Sequence, residues 1–212
     1  MKPIKLSILI AVVAVFALMG AECSFYAKSG TSSKDDEDEN RSKLVIVIGD
    51  GRLVDAAVEG VRYVSGSLSG VTGSRGEFQY ELDNDVQFFI GDIALGEATR
   101  GKAIITPLDL VPGGTLDTPA VINIARLLQS LDAEPGDDRI SIPATVRSAA
   151  VHSNEELSAS IHYLDFADDT AFANTASQLI ASLTASYSFT AVLVDAESAR
   201  GHLSQSIKRL GP

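Results

Sequence analysis

The 212-residue chain has no tryptophan, one cysteine and only three histidines, and its 17 basic residues are outnumbered by 28 acidic ones. Each shortage excludes something. A single cysteine rules out an internal disulfide and a cysteine-built zinc cage. The histidines, His152, His162 and His202, stand apart from one another, and no two have the spacing of a zinc-binding helix. A formal net charge of −11 leaves no basic stripe to displace counterions from phosphates, which argues against nucleic acid as a partner. It argues equally against electrostatic docking on anionic lipid. What is present is 45% hydrophobic residues, in a length that suits one domain with a real core.

The chain begins with a basic head, Lys2 and Lys5, followed by the uncharged run Leu6 to Met19. Those fourteen residues would span about 21 Å as helix, at ~1.5 Å each, short of a hydrocarbon core of about 30 Å. With the small residues Gly20 and Ala21 behind it, residues 1–22 read as a secretory signal peptide. The next residue is the sole cysteine, Cys23. Gly20-Ala21-Glu22-Cys23-Ser24 resembles the lipobox of bacterial lipoproteins, whose cysteine becomes the acylated N-terminus. Gly20 stands where that family carries a Leu-like residue, and Glu22 where it carries a small one. The alternatives are ordinary cleavage near Ala21, leaving a soluble periplasmic protein, or an uncleaved anchor. The resemblance implies a lipid bilayer as partner, through acylated Cys23. Attached acyl chains would contribute about 0.8 kcal/mol per buried CH₂. Ser24, in place of Asp, resembles the sorting pattern of outer-membrane lipoproteins.

Residues 23–42 read as a tether. The stretch is polar and rich in serine, and it carries five consecutive acids, Asp35 to Glu39. Few apolar groups and a block of like charge offer no burial to offset ordering entropy, which predicts a disordered, self-repelling linker.

Residues 43–212 read as one α+β domain: a small antiparallel β-sandwich-like sheet followed by a mainly helical C-terminal part. The β-rich portion is 43–111. Leu44 to Ile48 is a β-branched run that Gly49-Asp50-Gly51 is expected to end as a turn, and Leu53 to Ala57 and Gly60 to Ser65 read as the next strands. Glu77 to Glu81 alternates polar and aromatic residues, the period of a half-buried strand, and Val86 to Ile90 follows an Asp-Asn-Asp turn. The helical portion is 118–212. Thr118 is a suitable N-cap and Pro119 a suitable first helical residue. Ile124, Leu127, Leu128 and Leu131 then make one apolar stripe at i, i+3, i+4, i+7. A second helical region is expected over 154–186, interrupted near Asp165 to Asp169. A strand is expected over Phe189 to Val194, then a final helix capped by Asp195 and ended by Gly211.

Several stretches together resemble a module of exported lipoproteins and surface proteins of gammaproteobacteria, itself of unknown function. They are Val58 to Tyr63, Gly70 to Phe78, Ile90 to Gly96, Thr106 to Leu110, Asn123 to Asp132 and Leu193 to Leu203. The likeness covers nearly all of 51–210. It implies a β-sandwich-plus-helices body in the cell envelope and carries no catalytic residues over.

Candidate chemistry is sparse. Gly49-Asp50-Gly51 after an apolar strand invites a dinucleotide-binding reading, but the third glycine of that fingerprint is replaced by Val54. Ser65, Ser67 and Ser69 lie among glycines, yet none is the middle of G-x-S-x-G. Asp132, Glu134, Asp137 and Asp138, and separately Asp165, Asp168 and Asp169, could line calcium loops; solvated turn acids are the plainer reading. Phe88 and Phe89 are adjacent on a strand, so one of them points away from the core toward a groove or a second layer. The reading reached is a non-enzymatic envelope lipoprotein with no cofactor, metal or catalytic residue assigned. Its task is taken as binding: surface attachment, biofilm formation or support of hydrophobic-compound uptake, with a membrane protein or a hydrophobic ligand as partner. The rivals are an exported serine hydrolase using one of the three histidines and a structural partner of a membrane complex.

Overall fold

The computed structural model describes residues 46–211. The expected signal peptide, Cys23 and the acidic tether lie outside the described residues. In chain order the described residues form β1 (Ile48–Leu53), β2 (Ala57–Glu59), β3 (Arg62–Ser65), β4 (Leu68–Val71) and β5 (Glu77–Glu81). These are followed by β6 (Asp85–Ile90), β7 (Ile93–Ala94), β8 (Thr99–Arg100) and β9 (Ile104–Ile105). The rest comprises α1 (Pro119–Ser130), β10 (Arg139–Ser141), α2 (Ala144–Ala149), α3 (Glu155–His162), α4 (Asp169–Leu183) and α5 (Ala196–Arg209). Antiparallel sheets in the first half and helices in the second make the class α+β.

One sheet has the order β5-β1-β9; another runs β4-β3-β6-β7, with β8 also on β6; β2 pairs with β10. The β1–β9 and β2–β10 pairs are parallel, which the antiparallel expectation did not include. The ring of Phe78 on β5 joins the first two sheets. Its centroid lies 5.1 Å from Phe88 in an edge-on arrangement and 5.7 Å from Tyr63.

Gly49-Asp50-Gly51 does not turn the chain. It runs inside β1, with Gly49 opposite Tyr80 and Gly51 opposite Phe78. Each ring lies across its glycine: an added Cβ would sit 2.6 Å from Tyr80 Cζ at Gly49 and 2.4 Å from Phe78 Cζ at Gly51. The glycines make room for cross-strand aromatics rather than for a reversal. The reversal comes later, within the stretch expected to be strand, where Asp55 and Ala56 form the β1–β2 turn and Ala56 adopts φ +58°.

α1 lies at the centre of the helical part. Its expected stripe, Ile124, Leu127 and Leu128 together with Leu131 just past the helix, is fully buried in the main core. Its other side, Val121, Ile122 and Ala125, packs on Ala199 and Leu203 of α5. Burying each of the Leu, Ile and Val side chains contributes roughly 1.5–3 kcal/mol. Pro119 does open α1, but Thr118 does not cap it with its side chain. Its hydroxyl instead accepts a bond from the Thr115 N–H, 3.0 Å away.

The region from 154 divides as expected into α3 and α4, capped by the side chains of Asn154 and Asp168. Asp195 caps α5, and Gly211 follows it with φ +74°. Phe189 to Val194 is not a strand. Its last residue is held by α1 side chains, with the Val194 N–H donating to Ser130 Oγ and the Arg126 Nε–H to Val194 O, so the segment ends on side-chain partners rather than in a ladder. β10 and α2 had no counterpart in the sequence reading.

Candidate functional site

His152 and His162, separate in sequence, line one cavity of about 290 Å³, whose apolar lining includes Ile93, Ile161, Leu164 and Phe166. The β6–β7 turn builds one wall. Gly91, at φ +59°, lets that turn press on the end of α2, where a Cβ would come within 2.0 Å of Ala150 O. The Asp92 N–H donates to Ala150 O at 2.7 Å, and its carboxylate accepts the His152 N–H at 2.8 Å. His162 comes from the last turn of α3, its ring edge-on to Tyr163 with centroids 4.9 Å apart. Two imidazoles beside an apolar lining can hydrogen-bond the polar end of a ligand whose body is apolar. The cavity volume is at the lower end of small-molecule sites, ~300 Å³.

The same turn adjoins the outer face of the β4-β3-β6-β7 sheet. Phe88 points inward and is fully buried, whereas Phe89 points outward beneath Arg62, whose guanidinium carbon is 4.0 Å from the ring centroid. The register sets Val71, Arg62, Phe89 and Ala94 in one row. Phe89 is thus the outward member of the pair, and a cation covers it in place of a helix. A shallow cavity of about 270 Å³ opens beside this row, lined by Arg62, Val71, Asp92 and Arg147 among others.

His202 lies elsewhere. Its Nδ1 is 3.0 Å from Oδ1 of the buried Asp55, and Gln129 Nε2 donates to Oδ2 at 2.9 Å. The hydrogen bond to Asp55 raises the His202 pKa, against the effect of burial. Four residues on, Ser206 Oγ accepts the Ala56 N–H at 2.9 Å. A second buried cluster spans α1 and its neighbours. Asn123 donates to Phe166 O and Asp169 Oδ1, and Arg126 donates to Asn123 Oδ1 and Val194 O. Burial lowers the Arg126 pKa, and Asp169 and Asp195 oppose this. Tyr187 donates its hydroxyl to Leu131 O at 2.7 Å, and burial pushes its pKa up to about 12. Asp55, Asn123, Arg126 and Gln129 were missed by sequence reasoning. The available signal was a polar residue set beside the apolar stripe of α1.

The serines singled out earlier serve the β3–β4 hairpin. Ser65 is buried and accepts the Glu81 N–H, while Ser67 donates its hydroxyl to Glu81 Oε1 at 2.5 Å. That bond, with the Ser67 N–H behind it, holds the Glu81 carboxyl below the usual range. Ser69 is exposed on β4. The acids are engaged locally. Asp132 accepts the Glu134 and Ser141 N–H groups, and Arg139 bridges Glu59, Glu134 and Asp137. Asp165 accepts the Ala167 N–H, Asp168 caps α4, and Asp169 faces Asn123. Among the described residues no group of three His, Cys, Asp or Glu could hold a metal ion. Among the same residues no helix is long and apolar enough to cross a membrane.

No family model matches the chain, and no solved structure matches it. Two curated proteins are similar over part of it. One, from Escherichia coli strain K12, is named "Putative lipoprotein AcfD homolog" and is 36% identical over 78 residues, 34% of this chain and 5% of that protein. The other, from Escherichia coli O78:H11 strain H10407, is named "Putative lipoprotein YghJ" and matches with the same identity and coverage. The chain therefore shares a module-sized stretch with much longer proteins that carry lipoprotein in their names.

Proposed function

We propose that this chain is a non-enzymatic lipoprotein of the cell envelope, fastened to a bilayer through acylated Cys23, whose α+β body is a binding or adhesion module. The observation that carries this reading is the partial likeness to the two E. coli proteins, taken with a lone cysteine four residues past a short apolar run. The cavity under His152 and His162 and the Arg62–Phe89 row support binding as its task. One offers polar atoms beside apolar walls; the other is an outward aromatic on a sheet face. A hydrophobic compound with a polar end suits the cavity, and a surface or a membrane protein suits the sheet face.

Growing cells with a palmitate analogue tests the anchor. The wild-type chain should take up label and fractionate with membranes, and Cys23→Ser should do neither. An unlabelled wild-type chain would sink the lipoprotein reading, whatever the body binds.

A further inference from the structure

A separate cavity of about 180 Å³ lies where the β1–β2 turn meets the last turn of α5. Arg52, Arg75, Arg209 and Ser206 line it, with Val54 and Leu210 among its apolar walls. The three arginines that line it come from three elements: Arg52 from β1, Arg75 from the β4–β5 turn and Arg209 from α5. Three cationic side chains around one cavity repel one another unless an anion lies among them, and here they line it in a chain whose net charge is −11. Two carboxylates stand nearby and do not fill the site. Glu77 takes the Nε–H of Arg75 at 2.6 Å, leaving both Nη groups. Asp138, which also lines the cavity, forms an ion pair with Arg209 at 3.7 Å, a separation longer than a hydrogen bond. Ser206 Oγ accepts the Ala56 N–H, so its own O–H is left to donate.

We propose that this cavity binds a compact phosphate-bearing anion, a phosphomonoester with a short carbon body. Planar guanidinium forks match phosphate oxygens bidentately, and three of them suit a dianion better than a single carboxylate. The volume equals about six waters at ~30 Å³ each, room for a phosphate and two or three carbons. The apolar contribution of Val54 and Leu210 favours an ester over inorganic phosphate.

A free phosphomonoester and the headgroup of phosphatidic acid, itself a phosphomonoester, offer the same chemistry. Calorimetric titration of the full-length chain in a neutral detergent separates them, using inorganic phosphate, glycerol 3-phosphate and phosphatidic acid mixed into the micelles. The expected result is saturable binding of glycerol 3-phosphate, tighter than inorganic phosphate. Arg52→Gln and Arg209→Gln should each weaken it at least tenfold, and Arg100→Gln, outside the cavity, should leave it unchanged. Circular dichroism and thermal midpoints check that the variants fold. Equal binding of phosphatidic acid would support the phosphate site and assign it to a headgroup; its absence beside glycerol 3-phosphate binding would assign it to a soluble ester. No saturable heat with any of the three, or binding that survives both substitutions in folded protein, overturns the proposal.

Discussion

His202 Nδ1 lies 3.0 Å from Asp55 Oδ1 across 147 residues of chain, and the Asp55 side chain is wholly buried. Gln129 of α1 donates to the other carboxylate oxygen, so the β1–β2 turn, α1 and α5 meet on one acid. With the Ala56 to Ser206 bond beside it, this contact ties the last helix to the sheet.

The contact makes stability depend on pH in a definite direction. The Asp55 hydrogen bond lifts the His202 pKa above its ordinary 6.5; Asp132 adds to the rise, while burial and Arg209 oppose it. Protonated His202 therefore favours the folded chain. Its contribution is complete below pH 6.5 and is lost as pH climbs through the raised folded value. The urea midpoint should fall over that interval, and His202→Gln should flatten the step. A wild-type midpoint that stays level there would show that the pair carries no proton-linked stability.

The glycine at 51 is set by its cross-strand neighbour. A Cβ there would meet Phe78 Cζ at 2.4 Å and Lys102 O at 2.6 Å, the second being backbone that cannot swing aside. Gly51→Ala should cost roughly 1–3 kcal/mol in urea denaturation, the range for overpacking. Gly201, inside α5 with nothing within 4 Å of an added Cβ, is the contrast. Gly201→Ala should stabilise by about 0.5–1 kcal/mol through helix propensity. Equal effects at the two positions would contradict the register that sets Gly51 against Phe78.

Arg126 joins α1 to the chain entering α5. Replacing it with Met keeps most of its stem, yet leaves Val194 O and Asn123 Oδ1 without their donor. The expected cost is about 1–3 kcal/mol, the penalty for unsatisfied buried acceptors, read as a lower thermal midpoint. Hydrogen exchange should quicken first in α5, since Arg126 holds the residue just before its cap. A thermal midpoint equal to that of the wild type would mean that water replaces the guanidinium without loss.

Much of the fold was legible wherever one local period dominated. The apolar stripe of α1, the alternation of Glu77 to Glu81 and the cap at Asp195 all led to the observed elements. Gly49-Asp50-Gly51 misled because glycine fits a turn and fits a strand under an aromatic ring equally well. Only the pairing with Tyr80 and Phe78 separates the two. Phe189 to Val194 has strand composition, but side chains of α1 hold its end.

The candidate sites were less legible than the elements. His152 and His162 read as isolated, yet the β6–β7 turn and α3 bring them to one cavity. Arg52, Arg75 and Arg209 carried no functional reading, because nothing in their spacing announces that they line one cavity.

By itself the sequence determined the class, strands mainly in the first half and helices mainly in the second, since periods of two and 3.6 residues arise from short-range backbone geometry. Tertiary structure alone decided which polar groups meet: Asp55 with His202, Asn123 with Asp169, three arginines around one cavity. Those meetings depend on how α1 packs between the main core and α5, and no local pattern encodes a contact across 147 residues.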